Sequence, residues 1–356
     1  MKSLGSYPIR TFDDFRNVAQ LYQYSRVILT ALELDLFSVL ATRSRRIASL
    51  ARHLKVSPRG LDILCRNLAA MGLLEKTTTS RGGGGPAQGA PPTPTYRNSP
   101  LARADLNRQS PSYRGKYIDL IRNQWDDFAQ LTRSVRRGRP IDADQPETPQ
   151  WRRAFTWAMH HRSRDQAKRV ARSLDLREAK TLLDLGGGPG TYALAFLAKN
   201  PNLQATVADR KPALQVAREI AARHPAKARL SFAPVDFMDD SILGRYDVVW
   251  LSNVIHIYSP AQNLALFRKV AKVLNPGGRM IIHDSFLTDA QGLYPIDTTA
   301  FAVIMLLFTE TGNTYPARDV MGWLRRAGYR QVRMLAGVGV RKDGENGLIE
   351  GWGGQI

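Results

Sequence analysis

Thr181-Leu182-Leu183-Asp184-Leu185-Gly186-Gly187-Gly188-Pro189-Gly190 is the stretch that decides the fold: a short apolar run ends in a glycine loop, and a helical segment follows from Tyr192 to Lys199. Glycines let a backbone turn tightly and approach a ligand, while the free amides at a helix start attract anionic or polar groups. Such a loop is weak evidence alone. Here the next apolar run, Gln204-Ala-Thr-Val-Ala, closes on Asp209, where an acid accepts hydrogen bonds from ribose hydroxyls. The dinucleotide fingerprint asks for Gly or Ala at position 191, and Thr191 stands there. The spacing is Gly-x-Gly-x-Gly behind Asp184, which points away from a nicotinamide dinucleotide.

Outward from the loop, Tyr246-Asp-Val-Val-Trp-Leu and Arg279-Met-Ile-Ile-His are further strand candidates, with helices expected over Pro212–Arg223 and Ala261–Leu274. This alternation predicts a parallel sheet with helices on both faces, an α/β domain over 176–356. From 111 to 175 the chain reads as a helical connector, with Tyr117, Leu120, Ile121, Trp125, Phe128 and Leu131 on one side. Residues 1–110 read differently. Leu34, Leu36, Phe37 and Leu40 suggest one helix, and Ile47, Leu50, Ala51 and Leu54 a second. Ser57-Pro58 caps a third that buries Leu61, Leu64, Leu68 and Met71. Strand candidates Leu73–Thr77 and Thr95–Arg97 flank a Gly/Pro-rich wing loop, 82–94, so the whole is a winged-helix pattern.

Composition narrows the rest. The chain has 356 residues, 43% of them hydrophobic, which excludes wholesale disorder and allows two or three domains. Its single cysteine, Cys65, excludes an internal disulfide framework and a multi-cysteine metal cage. Met1–Phe15 lacks the apolar core of a secretory signal, and Phe301–Phe308 falls well short of the roughly 20 residues that cross a bilayer. A cytoplasmic protein without membrane insertion is expected. The formal charge of +20 suggests nucleic acid, yet it divides at about +10 on each side of residue 150. Its local clusters, Arg43/Arg45/Arg46, Arg133/Arg136/Arg137/Arg139 and Arg162/Arg164, carry no interleaved aromatics. A generally basic surface is the simpler reading.

Asp184-Leu-Gly-Gly-Gly-Pro-Gly190, Asp236-Phe237, Asn253-Val-Ile-His256 and Leu274-Asn-Pro-Gly-Gly-Arg279 fall in the order seen in S-adenosylmethionine-dependent O-methyltransferases. Tyr96-Arg-Asn-Ser-Pro-Leu101 and Phe155-Thr-Trp-Ala-Met159 look familial too. The chain resembles the caffeate and hydroxyindole type from about residue 15 onward. That resemblance implies a Rossmann-like class I methyltransferase domain with a mostly parallel seven-stranded sheet, behind a mainly α winged-helix dimerisation domain, acting as a homodimer. It implies S-adenosyl-L-methionine as cofactor and no metal. Gly186, Gly188 and Gly190 would shape the loop around it, with Asp184 ahead of them. Asp209 would take the ribose hydroxyls, Asp236 the adenine amino group, Phe237 the ring, and Ser252 a further cofactor contact.

His256 ends a strand where open parallel sheets build their sites, and matches the family's general base. A phenol with a pKa of about 10 needs one at neutral pH, and imidazole can accept its proton as the oxygen attacks a sulfonium methyl. Asp284 matches the acid that orients this histidine. His283 reads as a packed strand residue. His160-His161 could border the substrate entrance and is too sparse for a metal site. Trp125, Phe155, Met159, Phe301 and Met305, with Phe308, would line a pocket for a flat aromatic or polycyclic acceptor. Ile257-Tyr258-Ser259-Pro260 replaces the family's usual Asp-Trp continuation. Thr314 stands where a second supporting acid is expected, leaving that role missing or taken by Glu310. These departures keep N- or C-methylation open. The charge keeps open an RNA or protein methyltransferase, and Arg59, Arg66 and Asn67 a DNA-binding regulator; every chemical motif favours a small-molecule partner over nucleic acid.

Overall fold

The computed structural model describes residues 8–78, 94–141, 148–335 and 347–353, whose contacts divide the chain into two compact units, one ending at Gly115 and one beginning at Lys116. The first unit holds α1 (Phe12–Ala19), α2 (Tyr22–Glu33), α3 (Leu36–Val39), β1 (Arg45–Arg46), α4 (Ile47–Leu54), α5 (Pro58–Ala70), β2 (Leu74–Thr78) and β3 (Pro94–Asn98). Ser57 caps α5 by accepting from the Gly60 amide, Pro58 opens the helix, and Leu61, Cys65 and Leu68 form its buried stripe. β3 is the middle strand of an antiparallel sheet in the order β1-β3-β2. The two-residue β1 is too short to leave a periodic signal. Leu34 to Leu40 is not one helix: Asp35, at φ 53°, takes a left-handed conformation that separates α2 from α3. The expected wing loop lies, through residue 93, outside the described residues.

The helical connector resolves into α6 (Gly115–Ala129), α7 (Leu131–Arg137) and α8 (Pro149–Ser173). After it come β4 (Thr181–Leu185), α9 (Thr191–Lys199), β5 (Gln204–Asp209), α10 (Lys211–Ala221), β6 (Leu230–Pro234), β7 (Tyr246–Ser252), α11 (Pro260–Ala271) and β8 (Leu274–Asp284). The chain continues through β9 (Phe286–Leu287), α12 (Ile296–Phe308), β10 (Tyr315–Pro316), α13 (Ala317–Arg326), β11 (Tyr329–Leu335) and β12 (Gly347–Gly353). Seven strands form one sheet in the order β11-β12-β8-β7-β4-β5-β6. β4 pairs in parallel with both β5 and β7, β7 in parallel with β8, and β12 is antiparallel to its two neighbours. The chain therefore builds outward from β4 in one direction and then in the other, making the carboxyl end of β4 a switch point.

Alternation along the strands sends side chains to two cores. Leu183, Leu185, Val249, Leu251 and Ile282 pack on one face with Phe267 of α11 and Val320 and Leu324 of α13. Leu182, Val248, Trp250 and Ile281 pack on the other with Val170 of α8, Phe196 of α9 and Leu214 of α10. At the starts of β4, β7 and β8, the Asp247 carboxylate accepts from the Lys180 and Thr181 amides and from Asn275 Nδ2, holding three strand ends together. Among the described residues no helix is long and apolar enough to cross a membrane.

The antiparallel edge hides one charge that no local pattern marks. Glu350 on β12 is fully buried, and its carboxylate accepts from Arg279 Nη1 at 2.9 Å and from Arg333 Nε at 2.8 Å. Both guanidinium groups also lie over the Trp352 ring, at 5.6 and 5.3 Å from its centre. Removing Glu350 leaves the partly buried Arg279 without its carboxylate while the exposed Arg333 returns to water, at a cost of about 1–2 kcal/mol. Glu350→Ala is expected to lower the urea midpoint with little change in slope; an unchanged midpoint would show the network to be energetically silent.

Candidate active site

The loop after β4 is shaped by what a Cβ would strike. Gly186 stands at φ 67°, and a Cβ there would meet Val254 Cγ2 at 2.8 Å. One on Gly187 would press on Asp184 Cγ at 2.6 Å. Asp184 is buried beneath the loop, accepting from the Ala193 amide in the first turn of α9 at 3.2 Å. Burial pushes its carboxyl up to about 7, opposed by that hydrogen bond and helped by nearby Asp209. Above Gly188 the space is open: the nearest atom to a Cβ there would be Asp209 Oδ2, at 3.9 Å. Asp209 Oδ2 accepts from the Gly188 amide at 2.7 Å, and Oδ1 from the Arg210 amide at 2.7 Å. Its pKa is raised by burial, against those two bonds and the charges of Arg152 and Arg210.

Asp236 and Phe237 lie next along the crevice. Asp236 Oδ2 accepts from Arg210 Nε at 3.1 Å, while Phe237 is buried edge-on to Tyr258, centres 6.2 Å apart, and packs near Gly186. Open space beside a glycine, a half-buried acid at the end of β5 and an aromatic wall suit a ribose carrying a planar base. On these grounds the residues fit the adenosine portion of S-adenosylmethionine.

His256 sits in a short turn, Ile255–Ile257, beyond β7. Its Nδ1 is 2.7 Å from Asp284 Oδ1, and both side chains are buried. The bond to a carboxylate places the proton on Nδ1 and leaves Nε2 as the acceptor. Phe301 of α12 stands edge-on to the imidazole, centres 4.8 Å apart, with Met305 buried one turn further on. The turn is pinned by its backbone. Asn263 Nδ2 donates to the Ile255 and Tyr258 carbonyls, and the Asn313 amide to the His256 carbonyl at 2.9 Å. Ser259-Pro260, the departure from the family pattern, opens α11 with a capping box to Gln262. Thr314 is buried and Glu310 exposed.

The other expected residues fall on the connector helices and the ends of β7 and β8. Trp125 is half-buried on α6, and Phe155 and Met159 on α8, with Phe155 stacked on Trp151 at 5.1 Å. His160, next to Met159, reaches Thr191 Oγ1 with Nδ1 at 2.9 Å, so α8 borders the glycine loop. Burial, with His161 and Arg164 nearby, pushes His160 down to about 4 and keeps it neutral. Ser252 Oγ bonds His283 Nδ1 at 2.8 Å. Arg152, Asn263, Gln166 and His283 were not singled out as site residues by sequence. Only Asn263 carried a visible signal: a polar side chain on the apolar stripe of a helix. Among the described residues no group of three or more His, Cys, Asp or Glu could hold a metal ion.

Comparison with known families now decides the class. The O-methyltransferase domain matches residues 129–330, more than half of the chain, and the O-methyltransferase dimerisation domain matches 17–108. The chain belongs to the O-methyltransferase family. It is 28% identical to the tetracenomycin polyketide synthesis 8-O-methyl transferase of Streptomyces glaucescens, over 92% of this chain and 94% of that protein. With acetylserotonin O-methyltransferase of Mus musculus it shares 29% identity, over 94% and 87%. Human N-acetylserotonin methyltransferase, solved in complex with SAM, shares the fold at a TM-score of 0.82 and 22% identity, covering 99% of this chain and all of that one (100%). In this O-methyltransferase, a Cβ on Gly312 would overlap the His256 carbonyl oxygen and Thr309 Oγ1. Gly312→Ala is therefore expected to displace the His256 turn and lower kcat tenfold or more, with cofactor affinity within about twofold of the parent. Equal loss of both in steady-state kinetics and calorimetry would show that the loop supports the whole site.

Proposed function

We propose that this O-methyltransferase moves the methyl group of S-adenosylmethionine to a hydroxyl of an aromatic or polycyclic small molecule, with His256 as general base. The observation that carries the reading is the buried His256–Asp284 pair, 2.7 Å apart, with Phe301 against the imidazole. Gly186, Gly188, Gly190, Asp209, Asp236, Phe237 and Ser252 would hold the cofactor, with Asp184 acting from beneath through the loop it supports. Bound there, S-adenosylmethionine supplies a sulfonium methyl whose C–S bond breaks as the new O–CH3 bond forms, its electron pair remaining on sulfur. His256 takes the phenolic proton at Nε2, and Asp284 holds the ring in the productive tautomer and stabilises the imidazolium. Phe301 and Met305, with Trp125, Phe155 and Met159 on the connector helices, would supply apolar walls for the acceptor. Relatives named for tetracenomycin, for 3-hydroxy-5-methyl-1-naphthoate and for mitomycin biosynthesis support an aromatic, polycyclic acceptor.

The dimerisation match supports a homodimer formed through the first unit, and the surface of that unit agrees. α1 buries none of its residues, while Phe12 and Phe15 are 75% and 54% exposed and Tyr22, opening α2, is 57% exposed. Such a run of large apolar groups suits burial against a second copy.

Two measurements check the proposal. His256→Ala is expected to lower kcat about 100-fold or more on a labelled phenolic acceptor while calorimetry still shows cofactor binding; full activity would remove the base assignment. Phe12→Asp combined with Phe15→Asp is expected to move the sedimenting species from dimer to monomer, and an unshifted dimer would place the interface elsewhere.

A further inference from the structure

His283 does nothing in the reaction just described, yet it is fully buried and hydrogen-bonded at both ring nitrogens. Its Nε2 faces Gln166 Nε2 of α8 at 3.2 Å, and its Nδ1 faces Ser252 Oγ of β7 at 2.8 Å. An amide NH2 only donates, so His283 Nε2 is the acceptor and the ring proton sits on Nδ1, aimed at Ser252. Burial keeps the ring neutral by pushing its pKa down to about 4, with Asp284 pulling it up and Arg162 lowering it further. The ring is locked from rotating: it stacks on Trp250, centres 5.5 Å apart at 18°, with Tyr192 at 5.4 Å on a tilted plane.

Ser252 Oγ receives a second hydrogen bond, from Asn253 Nδ2 at 2.9 Å. Asn253 is held for this at φ 56°, a left-handed conformation, by its amide donating to the His283 carbonyl at 2.8 Å. A hydroxyl has two lone pairs and one hydrogen. Both lone pairs of Ser252 are therefore filled, and its hydrogen is left for the buried Tyr192 hydroxyl, which has no other partner, or for a ligand in the crevice. Leu185 pairs with Leu251, so Gly186 and Ser252 are the next residues on the two strands, at the carboxyl ends that flank the switch point.

We propose that His283 is a positioning residue: through Gln166 and its own tautomer it sets Ser252 as an obligate hydrogen-bond donor to the cofactor. The methionyl carboxylate is the acceptor such a donor suits. Preset donors act without the cost of reorganising when the ligand arrives. The inference rests on the cofactor reading above.

A double-mutant cycle on the full-length protein tests it, with cofactor Kd measured by calorimetry on Ser252→Ala, His283→Leu and the pair. Each single change is expected to weaken S-adenosylmethionine about tenfold, the worth of one well-placed hydrogen bond. The double variant is expected to be no weaker than Ser252→Ala alone, because His283 acts only through Ser252. His283→Asn, which can restore an N–H near the Nδ1 position, is expected to recover most of the loss. Gln166→Leu, which breaks the lock from the exposed side, is expected to weaken binding in the same direction and stands in should His283→Leu not fold. Unchanged affinity in His283→Leu or Gln166→Leu, or losses that add fully in the double variant, would overturn the role of His283 and leave the cofactor reading intact. Absence of binding by the parent protein would overturn both.

Discussion

Parallel pairing of β7 with β8, with Ser252 beside His283, is the constraint on which the site depends. Side chains alternate along a strand, so once Ser252 lies opposite His283, the next residue of β8, Asp284, points to the other face of the sheet. His256, in the turn just past β7, meets it there. On one face lies the pair His283–Ser252, and on the other the pair Asp284–His256 proposed as the base and its support. A slip of one residue would exchange those faces and separate both pairs. Asp247, tying the opposite ends of β4, β7 and β8, opposes such a slip.

The crevice follows from the same geometry. Because β4 has parallel neighbours on both sides, the chains leaving β4 and β7 diverge, and the gap is bordered by a glycine loop, a serine and two acids. Asp184 is the hidden member of that set. It reaches no open space, and its burial costs free energy that the amide of Ala193 only partly offsets. What it stabilises is the close turn of Gly186 and Gly187, the part of the backbone that must leave room for a ligand.

The net charge of +20 is what remains after every acid has been set against a base. Individual arginines are nonetheless paired within the fold: Arg279 and Arg333 on Glu350, Arg153 on Glu219, Arg210 on Asp236. Arg210 links charge to function, since it contacts the acid expected to read the adenine.

Much was legible without coordinates. The glycine loop, the acid closing β5, the histidine beyond β7 and the alternation of apolar runs determined the α/β class and the family, and pointed to a place for the crevice, because each depends on local backbone needs that particular residues meet. The antiparallel β12, the two-residue β1 and the break at Asp35 were not legible, because edge pairing and a single left-handed residue leave no period in the chain. The supporting groups were hidden for a related reason. Gln166 lies 117 residues from His283, and Asn313 57 residues from the His256 carbonyl it holds. Sequence by itself determined which residues could carry the chemistry. Only the tertiary structure decided which nitrogen of each histidine carries the proton, since a tautomer is set by partners that folding brings together from distant strands and helices.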